Sequence, residues 1–147
     1  MQYQIISGDS HIDLTWLPGD LFQSNAPDHL KGKVPSVIEK DQGYVWQANG
    51  LELGGVGGLG FTGDPILPGW SKRLDKMIST GFYADGAKGL FHPTDPTLRQ
   101  KDQEMDGIQG EVIYGILGVG LKLKDQEAMS LVYRIYNDYA ADFCNAN

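Results

Sequence analysis

Six of the seven prolines lie between Leu14 and Pro93, together with a run of glycines from Gly50 to Gly69, and this uneven punctuation constrains the chain more than any other feature. Proline lacks the N–H that helices and sheet ladders need, so extended regular structure is expected near the two ends of the chain. At the N-terminal end, Gln2 to Ser7 carries Tyr3, Ile5 and Ile6 ahead of Gly8 and reads as a short buried strand. Near the other end, Asp95 can cap a helix whose first position is Pro96, a residue preorganised for N1. That helix should run to Asp106, with Gly107 as its stop. Gly110 to Leu117 reads as a second buried strand leading into a loop built on Gly115, Gly118 and Gly120. Asp125 then caps a last helix, on which Ala128, Val132, Ile135, Tyr136, Tyr139 and Phe143 recur at spacings of three and four.

The order is strand, long excursion, helix, strand, helix. Two βα units joined by a right-handed parallel crossover account for it. Residues 14–93 read as an irregular lid or insertion holding one hairpin, Tyr44-Val45-Trp46, which turns at Asn49-Gly50 into Leu51-Glu52-Leu53. At 147 residues the chain fits one domain.

Charge and hydropathy narrow the partners. Twelve Lys and Arg against nineteen Asp and Glu leave a formal charge of −7, which repels a phosphate backbone, and no basic stripe offsets it. Nucleic acid is therefore not expected. The longest mainly apolar run, Val112 to Leu121, holds three glycines and is too short to cross about 30 Å of hydrocarbon, so no membrane span is expected either. Met1 to Gln4 lack a basic targeting segment, and the single Cys144 allows no internal disulfide. A cytoplasmic location fits both features.

Chemistry concentrates at Asp9-Ser10-His11-Ile12-Asp13. On extended backbone, side chains i and i+2 point to one face, so Asp9 and His11 can reach a single divalent ion. His11 with Asp13 is the alternative pair. Asp13 also suits a supporting role, because a metal-bound imidazole commonly gives its other nitrogen to a carboxylate. Spacing alone favours a plainer reading, in which Asp9 stabilises a turn and His11 is an ordinary loop histidine.

Three segments change that balance. Ile5-Ile6-Ser7-Gly8-Asp9-Ser10-His11, Asp95 through Tyr114, and Tyr133 through Cys144 resemble, in order and spacing, the opening of the amidohydrolase-related family. This branch of the amidohydrolase superfamily includes hydrolases and decarboxylases. The resemblance implies an α/β fold: a partial (β/α)8 TIM barrel comprising the first two βα units, with the long lid at about 14–93 inserted between them. A whole barrel needs about 250 residues. It also implies that Asp9 and His11 are metal ligands, with Zn²⁺ favoured and Mn²⁺ or another divalent ion as alternatives, and that the substrate is a small molecule. Family members with His-x-His carry a nitrogen ligand where this chain has Asp9. Their later histidine ligands and catalytic aspartate would lie beyond Asn147, so no catalytic residue is assigned and the chain by itself is expected to be inactive. Hydrolysis is the first expectation and decarboxylation the second.

Other readings are weaker. Gly55-Val56-Gly57-Gly58-Leu59-Gly60 matches G-x-G-x-x-G, but Pro65 and Pro68 follow where a helix should open. Ser10 has no G-x-S-x-G context, and Cys144 sits at the end of the last helix. His29 and His92 read as lid residues, and Trp16, Trp46, Trp70, Phe82 and Phe91 as lid packing more than as a substrate pocket. The loop at Gly115, Gly118 and Gly120 follows a strand end and could shape a pocket floor, although tight packing explains its glycines better. The last alternative is a noncatalytic module that forms homo-oligomers through exposed strand edges.

Overall fold

A computed structural model describes residues 5–41, 43–56 and 77–146. Strand β1 (Ile5–His11) pairs in parallel with the distant strand β5 (Ile108–Tyr114), from Ile5 opposite Ile108 to His11 opposite Tyr114. Between them, β2 (Ser36–Lys40), β3 (Gly43–Ala48) and β4 (Leu51–Gly55) form an antiparallel sheet in the order β2-β3-β4. Asn49 and Gly50 both take positive φ, 50° and 74°, which closes a two-residue turn matched to the strand twist.

The helices follow local chemistry. Short helices α1 (Leu21–Asn25) and α2 (Phe82–Gly86) lie in the excursion. Helix α3 (Pro96–Asp106) starts where the Asp95 carboxylate accepts the Leu98 N–H at 2.9 Å, and it ends on Gly107 at φ 71°. After β5 comes α4 (Leu117–Lys122), then α5 (Gln126–Cys144), capped by Asp125, which accepts the Ala128 N–H at 3.0 Å.

One cluster of buried side chains joins these parts. Val132, Ile135 and Tyr136 of α5 belong to the same core as Phe22, Leu30, Val34 and Trp46 from the excursion. Trp46 is fully buried and meets Phe22 edge to face with ring centroids 5.9 Å apart. The described residues between Leu14 and Val56 therefore contribute much of the core and are not a lid laid over it.

This overturns the partial (β/α)8 barrel expected from the sequence. The protein is a small mixed α/β fold in which a three-stranded antiparallel sheet accompanies a two-stranded parallel one, with no repeating βα pattern among the described residues. A strand, helix, strand order fits any single parallel crossover as well as the opening of a barrel. The amphipathic face of α5 is covered by α1 and α4, within the core cluster that also holds Trp46, and not by further βα units.

Several boundaries also differ. β1 does not stop at Ser7 but runs through His11, and neither parallel strand is buried: Ile5, Ile6, Val112 and Tyr114 are all exposed. β2 lies in a stretch expected to be irregular, and the expected glycine loop after β5 includes helix α4. Tyr44 to Trp46 and Leu51 to Leu53 do form the expected hairpin. Trp70 and most of the G-x-G-x-x-G segment lie outside the described residues. Among the described residues, no helix is long and apolar enough to cross a membrane.

Candidate functional site

The carboxyl ends of β1 and β5 lie side by side, with His11 paired to Tyr114. Register is broken between Ser7 and Ser10: those residues face Glu111 and Ile113, so three steps along β1 match two along β5. A bulge of this kind turns side chains away from strict alternation. Ser10 faces inward, its hydroxyl bonded to Ser7 Oγ at 3.0 Å and to the Glu111 carboxylate, while Asp9 and His11 face solvent.

His11 Nε2 lies 3.1 Å from Asp9 Oδ1, and its Nδ1 lies 3.6 Å from Asp13 Oδ1. The three groups expected from the sequence are thus adjacent, but they do not converge. Asp9 and Asp13 address opposite edges of the imidazole. Two ligands of one tetrahedral Zn²⁺, each at about 2.0–2.1 Å, stand about 3.3 Å apart, close to the Asp9 to His11 separation. Asp13 lies on the Nδ1 edge of the ring, away from Asp9 and just beyond hydrogen-bond distance. Among the described residues, no set of three His, Cys, Asp or Glu side chains converges on one ion position.

Behind the pair, a buried network fixes the strand ends. Arg99 of α3 donates through Nη2 to Glu111 Oε2 at 2.9 Å and through Nε to Glu111 Oε1, which Gln103 also approaches. Its Nη1 reaches the carbonyls of Pro93 at 2.8 Å and His11 at 3.2 Å. The two side chains are only 13% and 11% exposed. Burial pushes the Glu111 carboxyl up, but hydrogen bonds from Arg99, Ser10 and Gln103 and the Arg99 charge outweigh it and hold the group below the usual glutamate range. From the other side, the buried Tyr136 hydroxyl of α5 lies 3.1 Å from the Ile12 carbonyl and 3.4 Å from that of Tyr114. Burial, aided by the Asp13 charge, pushes this phenol up to about 12, so it remains a donor at neutral pH.

Beside these strand ends a cleft of about 330 Å³ opens between β4 and α4. Asp13, Gly54, Gly115, Gly118 and Lys122 are among its lining residues, which gives it an acidic and a basic edge. The three glycines assigned to a pocket loop play different parts. A Cβ on Gly115 would fall 2.3 Å from the Tyr136 ring and one on Gly120 2.1 Å from Tyr133, so close packing requires both. Gly118 has open space around it and lines the cleft, whereas Gly120 does not line it.

Sequence reasoning did not find Arg99, Glu111 or Tyr136 as positioning groups. Each lies inside a segment that was singled out, but their partners are distant or on another element, and no periodicity reports that. His92 was placed in a lid and is instead buried, at 2% exposure, between Asp85 and Asp102. His29 is exposed and lies 3.0 Å from Glu127. Trp16, Phe82 and Phe91 form an aromatic cluster with centroids about 6 Å apart, in keeping with packing. Comparison with family models and with curated proteins gave no match, so the functional reading rests on this geometry and on the motif at β1.

Proposed function

We propose that the chain is a metal-dependent hydrolase of the amidohydrolase-related kind, acting on a small molecule, with Asp9 and His11 as two of its metal ligands. The observation that carries this reading is the 3.1 Å separation of Asp9 Oδ1 and His11 Nε2 on one exposed strand end. Both donors reach solvent, and the Asp13 carboxylate lies 3.6 Å from the ring's second nitrogen, near enough to pair with it after a small side-chain shift. A divalent ion, Zn²⁺ before Mn²⁺, supplies Lewis acidity and water activation when bound there. The chain's own residues do the rest. Asp9 and His11 bind, Asp13 orients the imidazole, and Arg99 holds the His11 carbonyl, while the cleft edged by Asp13 and Lys122 gives a small substrate a place beside them. Two protein ligands are one fewer than a catalytic Zn²⁺ site ordinarily has, so Asp9 and His11 form a half-site that binds the ion and needs a further ligand before it can hydrolyse a substrate.

Titration of the metal-stripped protein with Zn²⁺ by calorimetry, and with Mn²⁺ while following water-proton relaxation, tests the assignment. Binding should be lost in Asp9→Ala and His11→Ala and weakened in Asp13→Asn, and bound Mn²⁺ should relax water strongly. Unchanged binding in the alanine variants removes both residues from the site. Hydrolysis of small esters or amides that survives a chelator removes the metal from the reaction.

A further inference from the structure

His92 is the one polar residue fully enclosed among the described residues, and the site at β1 makes no use of it. Its two ring nitrogens face carboxylates on opposite edges. Nδ1 lies 2.7 Å from Asp102 Oδ2 on α3, and Nε2 lies 3.3 Å from Asp85 Oδ2 on α2. A neutral imidazole has a single N–H, so it can donate to only one of them and must turn a lone pair towards the other oxygen. Both contacts are hydrogen bonds when both nitrogens carry protons. The geometry points to a proton-operated latch: His92, as an imidazolium, clasps α2 to α3 through Asp85 and Asp102, and loss of one proton frees the α2 side.

The surrounding groups decide which side opens. Asp102 Oδ1 is buried with no hydrogen-bond partner among the described residues, so this carboxylate depends on His92 through its other oxygen. Asp85 has an alternative, because Lys88 Nζ lies 3.1 Å from its Oδ1. The shorter Asp102 contact keeps its proton on Nδ1. Nε2 gives up its proton past the partly exposed Asp85, and its bare lone pair then opposes that carboxylate, which remains ionised beside Lys88. Among the described residues, the charged groups around the ring are Asp85 and Lys88 on the α2 side and Asp102 on α3. Arg99, one turn earlier on α3, is held by Glu111 and the Pro93 carbonyl. The Phe82 ring, 5.3 Å from the imidazole, adds no charge.

Release has a defined structural reach. Phe82 packs on Trp16 at 6.0 Å, and Thr94 Oγ1 donates to the Trp16 carbonyl at 3.1 Å. Trp16 closes the short 3-10 turn that follows Asp13, so freeing α2 loosens the apolar cover over residues 14–16 while Arg99 keeps α3 on the strand ends.

Long-range ¹H–¹⁵N correlation of the histidine rings in the ¹⁵N-labelled full chain, from about pH 5 to 9, tests this directly. His92 should show two protonated nitrogens at the acid end and lose the Nε2 proton as pH rises. The amides of Phe82 to Gly86 should shift at the same midpoint and lose exchange protection, while those of Leu98 to Glu104 should not. In Asp85→Asn the carboxamide can accept from or donate to Nε2, so the ring still titrates but the α2 response should disappear. Three results each overturn the latch: a ring that keeps one protonation state throughout, α2 amides that ignore its titration, or the same α2 response in Asp85→Asn.

Discussion

Replacing Arg99 with Met keeps most of the aliphatic stem and removes the charge, which isolates what the guanidinium does for Glu111. Two charge-assisted bonds to the carboxylate are lost, and the carbonyls of Pro93 and His11 lose a shared donor. Removing one partner of a well-buried ion pair costs about 3–5 kcal/mol, because the other charge stays behind without compensation. Gln103 and Ser10 still serve Glu111, which pulls the figure down, and the two carbonyls add back about 1 kcal/mol. A loss of about 3 kcal/mol in unfolding free energy at pH 7 is expected, readable as a shift in the urea midpoint at unchanged slope. The pH dependence checks the cause. In the native protein, Glu111 is held below its ordinary range, so its contribution is present above that range and is lost as pH falls through the depressed value. Without Arg99 its carboxyl protonates at higher pH, so the deficit of the variant should shrink as pH falls through the ordinary glutamate range. Arg99→Met combined with Glu111→Gln should be more stable than Arg99→Met alone, since the buried charge is gone. A deficit below about 0.5 kcal/mol, or one equal at pH 7 and in acid, would refute the argument that this pair braces the strand ends.

Two further outcomes follow from contacts elsewhere. Gly115→Ala should overpack against Tyr136 and cost about 1–3 kcal/mol in chemical denaturation, whereas Gly118→Ala, with open space around its Cβ, should stay within about 0.5 kcal/mol of the parent. The Asp125 carboxyl is held below its usual range, first by the Lys33 hydrogen bond and then by the Ala128 N–H. Its contribution is therefore present above the ordinary aspartate range and is lost as pH falls through the depressed value, so Asp125→Asn should flatten the acid limb of a stability profile measured by thermal unfolding.

How much of the fold could be read in advance depends on how local its causes are. The helix from Pro96 to Asp106 was legible to the residue, because its cap, its first-turn proline and its stop at Gly107 act within a few positions of one another. The same holds for the start of α5 at Asp125 and for the turn at Asn49-Gly50. β2 was missed because Ser36 to Lys40 carries only Val37 and Ile38 as strand formers, and its pairing with β3 does the rest. The candidate site divides in the same way. That Asp9 and His11 share a strand end was legible from their spacing, and the bulge that turns them outward was not, because it depends on register with β5.

The sequence by itself determined the caps, turns and amphipathic stripe of this protein, since each arises from interactions between near neighbours in the chain. Only the tertiary structure decided that the excursion supplies core and not lid, that the parallel pair has no third strand among the described residues, and that Arg99, Tyr136 and His92 occupy enclosed positions. Those outcomes turn on which apolar face covers α5 and on which distant donor meets a buried acceptor. Such pairings join residues up to 124 positions apart, and hydrophobic periodicity carries no record of them.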